Sequence, residues 1–263
     1  MSLIGSPEWF FEKSQSNQMQ EWKEQVESIR EQFIKQFSPK QLSNMNGKQL
    51  LKKVFSDDLS SMTMTKWLMC SSEGRWFGSA GNYKYLGIVY QLKNGEWKYK
   101  EGAYSEELSV DEAAIKAEYV RDQLISCTNE IENIGVFTTV HDYLNLQNRL
   151  ERVFFYKYPW VLKYYQMLYP QYFPGMYADK TIDRAIHILG LRNHGISNRI
   201  MNAGEISLFI RRCDINNHVF GTIYGKQWGW ETDFPPCPAA SDNYRNCSKP
   251  VHSVNTEYYR IIT

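Results

Sequence analysis

Met19, Trp22, Val26, Ile29, Phe33 and Phe37 recur every three or four residues, so a helix over this stretch carries one unbroken apolar stripe. Glu24, Glu27, Glu31 and Lys35 fall on its other faces. A helix of this kind gains most of its stability by burying the stripe, so the chain must supply other elements to cover it. Ser38-Pro39 ends the helix, because proline disfavours the helical conformation in the residue before it. The 263 residues suffice for one large domain or two small ones around a proper core.

The rest of the chain reads as a mixture of helices and strands. A short helix is expected over 47–54, then a loop at Asp57-Asp58-Leu59-Ser60-Ser61. From Thr65 to Tyr99 the composition turns aromatic and β-branched. It predicts strands at Lys66-Trp67-Leu68-Met69-Cys70, at Tyr85 to Tyr90 and at Glu96-Trp97-Lys98-Tyr99. Asn94-Gly95 between the last two is a hairpin signal. Ser109-Val110-Asp111-Glu112 is a capping box. It opens a helix with Ala117, Val120, Leu124, Cys127 and Ile131 inward and Gly135 at its end.

A strand or helix follows at Val153 to Tyr158, and a Tyr-rich helix runs from Pro159 to before Pro170. Asp179 caps a helix with Ile182, Ala185, Ile186 and Leu189 inward and Gly190 behind it, and another helix spans Ser197 to Arg212. Helices and strands are segregated, which argues for an α+β fold: a small mixed or antiparallel sheet flanked by several helices. Four segments are expected: an N-terminal helical segment over 1–60, an aromatic-rich sheet plus helix over 61–135, a helical subdomain over 136–231, and a tail over 232–263. The prolines at 235, 236 and 238 make that tail irregular, and it reads as the start of a further C-terminal part.

Charge and cysteine usage narrow the function. Lys plus Arg (30) nearly cancel Asp plus Glu (29), so any nucleic-acid contact must come from local basic clustering. The cysteines at 70, 127, 213, 237 and 247 are odd in number and widely spaced, and no apolar leader opens the chain. Reduced thiols in a cytoplasmic, non-membrane protein are expected.

Known chemistries fit poorly. Gly221-Thr222-Ile223-Tyr224-Gly225-Lys226 is one residue short of a phosphate loop, and Gln227 stands where a metal-binding hydroxyl belongs. Cys213, His218, Cys237 and Cys247 lack the close pairs of a zinc site. His141, His187, His194 and His252 have no nucleophile motif beside them. Glu96 and Lys98 could form the Glu-x-Lys part of a metal-dependent nuclease site, with Asp57 or Asp58 as the second acid. No catalytic residue, metal or cofactor is expected otherwise.

The stretch from Lys66 to Lys100 is more informative. Trp67, Trp76, Phe77, Tyr83, Tyr85 and Trp97 interleave with Lys66, Arg75, Lys84, Lys93, Lys98 and Lys100, against Glu73, Glu96 and the bordering Glu101. Cations take phosphates, and exposed rings stack on unpaired bases at about 1–3 kcal/mol each. The candidate nucleic-acid-binding residues are Trp67, Arg75, Trp76, Tyr83, Lys84 and Trp97. The competing reading makes the rings one face of a sheet core. A third reading makes the first amphipathic helix and the Tyr-rich segment from Tyr156 to Tyr172 an assembly surface.

Phe33-Ile34-Lys35-Gln36-Phe37-Ser38-Pro39-Lys40-Gln41-Leu42-Ser43-Asn44-Met45 resembles a leading segment of McrB-like (5-methylcytosine-specific restriction) AAA+ proteins, in their N-terminal DNA-recognition region. Trp67-Leu68, Gly78-Ser79-Ala80-Gly81 and Leu86-Gly87-Ile88-Val89-Tyr90 stand where that pattern has a strand, a small-residue loop and a second strand. Lys163 to Pro170, Phe173-Pro174-Gly175-Met176-Tyr177 and Ile186 to Leu191 continue a similar pattern, so the likeness spans roughly 29–225. The resemblance implies a non-catalytic module that recognises double-stranded, modified DNA, with base flipping as one means of reading it. An AAA+ motor part and a separate nuclease subunit would be its partners.

Overall fold

The computed structural model describes residues 3–56, 62–69, 88–101, 103–152, 158–195 and 197–228. Over these the chain is α+β: a three-stranded antiparallel sheet set among helices. Helix α1 (Pro7–Ser14) starts on Ser6, whose hydroxyl accepts from the Trp9 amide at 3.3 Å. Its Trp9 and Phe10 meet α11 (Asn217–Trp228), with the Phe10 and Phe220 ring centroids 4.6 Å apart. Periodicity does not mark α1, because its apolar residues Trp9, Phe10 and Phe11 are consecutive rather than spaced.

Helix α2 (Asn17–Phe37) is the striped helix expected, with Met19, Val26, Phe33 and Phe37 buried and Trp22 and Ile29 half-buried against the same core. Ser38 leaves it in extended conformation and Pro39 begins α3 (Pro39–Ser43). Helix α4 (Gly47–Leu50) opens with an Asn46/Gln49 capping box and runs on as a π-helical turn over Leu51–Phe55. Gly47 is required here: a Cβ would come within 2.6 Å of the Ala114 carbonyl oxygen.

The stretch expected as the first strand is instead α5 (Met64–Met69). Its buried residues Met64, Trp67 and Leu68 are spaced i, i+3, i+4, a helical period hidden by the aromatic composition. Thr65 fixes its start by donating its hydroxyl to the Val54 carbonyl at 2.9 Å. The sheet follows as β1 (Ile88–Gln91), β2 (Trp97–Glu101) and β3 (Tyr104–Leu108), in that spatial order. Gln91 pairs with Trp97 across the expected hairpin, whose Gly95 adopts φ +89°.

The capping box at Ser109 and Glu112 starts α6 (Val110–Ile134), whose predicted inward residues are all buried. Gly135 ends it at φ +76°. Helix α7 (Val140–Leu150) had no expectation attached to it. Its start is held by Asp142, which accepts from the Thr138 and Thr139 amides at 2.8 Å each. Helices α8 (Pro159–Leu168), α9 (Asp179–Ile188) and α10 (Arg199–Arg212) lie where expected, within one or two residues. The expected element at 153–158 and the tail from 232 lie outside the described residues.

One continuous apolar cluster runs from Trp9 to Tyr224 and draws on all three of the expected segments before the tail. The Tyr-rich helix α8 sits inside it, buried from Trp160 to Met167. The buried residues of the α2 stripe and of α8 therefore belong to this core. Among the described residues no helix is long and apolar enough to cross a membrane.

Candidate nucleic-acid interface

A groove of about 280 Å³ opens between the α4–π-turn segment and the β1–β2 hairpin. Lys48, Lys52, Leu51, Ser56, Gln91, Trp97 and Val110 line it. Lys48 and Lys52 are four apart and so rise from one face of the helical segment, while Leu51, between them in sequence, is buried at the groove's floor. Lys52 and its neighbour Lys53 are exposed. Lys48 reaches Asp111 at 3.2 Å, but both side chains are largely in water, so the pair is weak and open to exchange for another anion.

The hairpin wall is tied to the helical wall through Gln91. Its Oε1 accepts from the Ser56 hydroxyl at 3.3 Å, and its Nε2 donates to the Gly95 carbonyl at 3.1 Å. The amide is thus held between the end of the π-turn and the turn of the hairpin. Trp97 supplies part of the apolar floor.

Of the two candidates among the described residues, Trp67 and Trp97, only Trp97 lines this groove, and it is 7% exposed. With so little of the ring accessible, it cannot offer a full face for stacking. Along β2, Trp97 and Tyr99 are buried while Lys98 and Lys100 are half-exposed, the alternation of a sheet with one core face. Trp67 is 3% exposed and packs 5.7 Å from the Phe33 ring. For these two rings the core reading holds, and their large apolar area goes to the fold. Arg75, Trp76, Tyr83 and Lys84 lie outside the described residues, as do Asp57 and Asp58.

The nuclease constellation is not assembled among the described residues. Lys98 Nζ stands 2.9 Å from Glu107, its direct partner across β2 and β3, and hydrogen bonding to that carboxylate raises the lysine pKa. Glu96 is exposed in the turn before β2. No three His, Cys, Asp or Glu side chains converge as a metal site among the described residues. Gly221 to Lys226 lie within α11, where the helix ladder consumes the amides a phosphate loop would need to present. Cys213 is buried with its thiol directed to the Phe209 carbonyl, and burial pushes its pKa up to about 12. Cys237 and Cys247 lie outside the described residues.

A second polar feature is internal. His218 is buried beside Gln166, whose Nε2 lies 3.0 and 3.1 Å from the two ring nitrogens, and Tyr177 donates its hydroxyl to Gln166 Oε1 at 3.2 Å. Burial, then the charges of Arg30 and Lys163, lower the His218 pKa to about 3. Arg30 in turn donates to the last carbonyls of α8, Met167 at 2.8 Å and Leu168 at 3.1 Å. A cation there satisfies acceptors that a helix end leaves open. This network joins α2, α8 and α11 and stands apart from the groove.

Lys48, Lys52, Ser56 and Gln91 were not singled out from the sequence. The spacing of Lys48 and Lys52 was visible inside the expected second helix, but nothing local said which surface that helix would face. No family profile, curated protein or solved structure matches this chain.

Proposed function

We propose that this chain is a non-catalytic DNA-recognition module and that the groove beside Lys48 and Lys52 is where the nucleic acid rests. The observation that carries the reading is the pairing of two lysines on one helical face with an apolar floor of Leu51 and Trp97. Lysines on such a rim take backbone phosphates, which supply most of the sequence-independent affinity of DNA binders. A near-neutral protein needs local clustering of this kind, since its overall charge of +1 gives no general attraction. The sequence resemblance to McrB-like recognition regions points the same way. It adds modified double-stranded DNA, read by base flipping, as the target. An AAA+ motor part and a separate nuclease subunit complete the proposed system.

The rings and cations at Arg75, Trp76, Tyr83 and Lys84 belong to the same proposal through their sequence pattern. The metal-dependent nuclease reading is the less favoured one, because Lys98 is engaged by Glu107.

Fluorescence anisotropy with plain and cytosine-modified duplexes over a salt series tests the proposal. Binding should weaken steeply with salt, and Lys48→Ala and Lys52→Ala should each lower the salt slope by about one without changing the fold. No binding to any duplex at low salt would overturn the reading.

A further inference from the structure

We infer that Gln91 is the base-discriminating residue of the groove, selecting a base edge that sets an amino donor beside a ring-nitrogen acceptor. The inference rests on the DNA-binding reading above and assigns the specificity of that same site.

Gln91 differs from the other polar groups lining the groove. Lysines offer charge and no pattern, so they position a backbone without distinguishing one base from another. Ser56 offers one hydroxyl, which it already gives to Gln91. A primary amide carries two N–H donors and an oxygen with two lone pairs. Gln91 spends one donor on the Gly95 carbonyl and one lone pair on Ser56, which leaves one donor and one acceptor on the same amide.

The two internal bonds also fix the amide. A free glutamine has several rotatable bonds to immobilise on binding, which erodes what its hydrogen bonds contribute. Here the side chain is anchored at both ends, to the end of the π-turn and to the hairpin turn, and it is half-buried. A pre-organised donor–acceptor pair on the wall of a groove rimmed by Lys48 and Lys52 has the form of a readout element.

The complementary edge places an acceptor next to a donor. Adenine does so in the major groove through N7 and its amino group, where a glutamine makes a bidentate pair. Unpaired cytosine does so through N3 and its amino group. Thymine in the major groove offers only an acceptor and a methyl group, and guanine there offers two acceptors. The shared chemistry is thus an amino group flanked by a ring nitrogen.

The test measures binding of the full chain to two sets of probes. One set is duplexes rich in A·T pairs, with adenine or with 7-deaza-adenine, which lacks the N7 acceptor. The other is single-stranded oligonucleotides of cytosine or thymine. The duplex source predicts about tenfold or greater loss on 7-deaza substitution, and the single-strand source predicts a similar preference for cytosine over thymine. In either case Gln91→Met should abolish the preference, while salt-dependent binding through Lys48 and Lys52 persists and circular dichroism shows the helices and sheet still formed. Gln91→Glu, which keeps an acceptor for the amino group and loses the donor to the ring nitrogen, should remove the 7-deaza discrimination while retaining a preference for cytosine over thymine.

A wild-type preference that persists in Gln91→Met overturns the assignment of Gln91 and leaves the DNA-binding reading standing. Equal binding of all probes by the wild type does the same. Failure of the wild type to bind any probe overturns the DNA-binding reading itself, and the assignment with it.

Discussion

Gly204 on α10 lies directly against the aromatic ring of Tyr143 on α7, so close that any Cβ at this position would overlap the ring's Cγ and both Cδ atoms. The two helices approach over this contact, and Tyr143 is fully buried with its hydroxyl donated to the Tyr172 carbonyl at 2.9 Å. The ring cannot step aside without breaking that bond and disturbing its neighbour Phe137, whose centroid is 4.8 Å away. Gly204→Ala should therefore destabilise the fold by about 1–3 kcal/mol or more, as overpacked cores do. Urea denaturation would read this as a lower midpoint at unchanged slope. A neutral result would mean that α7 and α10 can separate freely.

His218 makes stability depend on pH in a defined window. Its folded pKa of about 3 lies below the ordinary 6.5, so the unfolded chain binds the proton more tightly than the folded one. The stability tied to the neutral ring is present above about pH 6.5 and is lost as pH falls towards 3. Within that window the loss should be on the order of 1 kcal/mol per pH unit. Denaturant midpoints measured from pH 7.5 down to pH 4.5, in the wild type and in His218→Gln, check this. The variant should show a shallower slope, and equal slopes would remove His218 as the cause.

Lys98 separates the two readings of the β2 charges. If its role is the cross-strand pair with Glu107, Lys98→Ala should barely move the urea midpoint, because exposed pairs contribute little. The wild type should then leave plasmid intact in the presence of magnesium. Nicking by the wild type that vanishes in Lys98→Ala would instead favour the nuclease.

Trp67 was a candidate for stacking on DNA, but it is buried against Phe33. Trp67→Ala should lower stability by about 3–5 kcal/mol, the usual cost of emptying a large aromatic site. Thermal melting monitored by circular dichroism would show it. A variant of wild-type stability with weakened DNA binding would restore Trp67 as a contact residue.

Much of the scaffold was legible along the chain because its signals are local. The α2 stripe, the Asn94-Gly95 turn, the Ser109/Glu112 box and the glycines at 135 and 190 act through residues within one or two turns of each other. Where local signals conflicted, the reading failed. Met64, Trp67 and Leu68 carry a helical period in strand-like composition, and the tertiary environment, through Thr65 and Val54, selected the helix. Helix α1 was missed because it is short and packs on α11 from the far end of the chain, and strand β3 because its five residues are mostly polar and carry no alternation.

The groove was less legible still. Lys48 and Lys52 stand about 40 residues before Gln91 and Trp97, and only the placing of the π-turn beside the hairpin brings them to one surface. By itself the sequence determined the α+β class and the positions of most helices, because periodicity, caps and turns are set by neighbouring residues. The tertiary structure decided which aromatic rings became core and which lysines came to share a wall. Burial and charge clustering depend on residues far apart in the chain, and no local pattern encodes that distance.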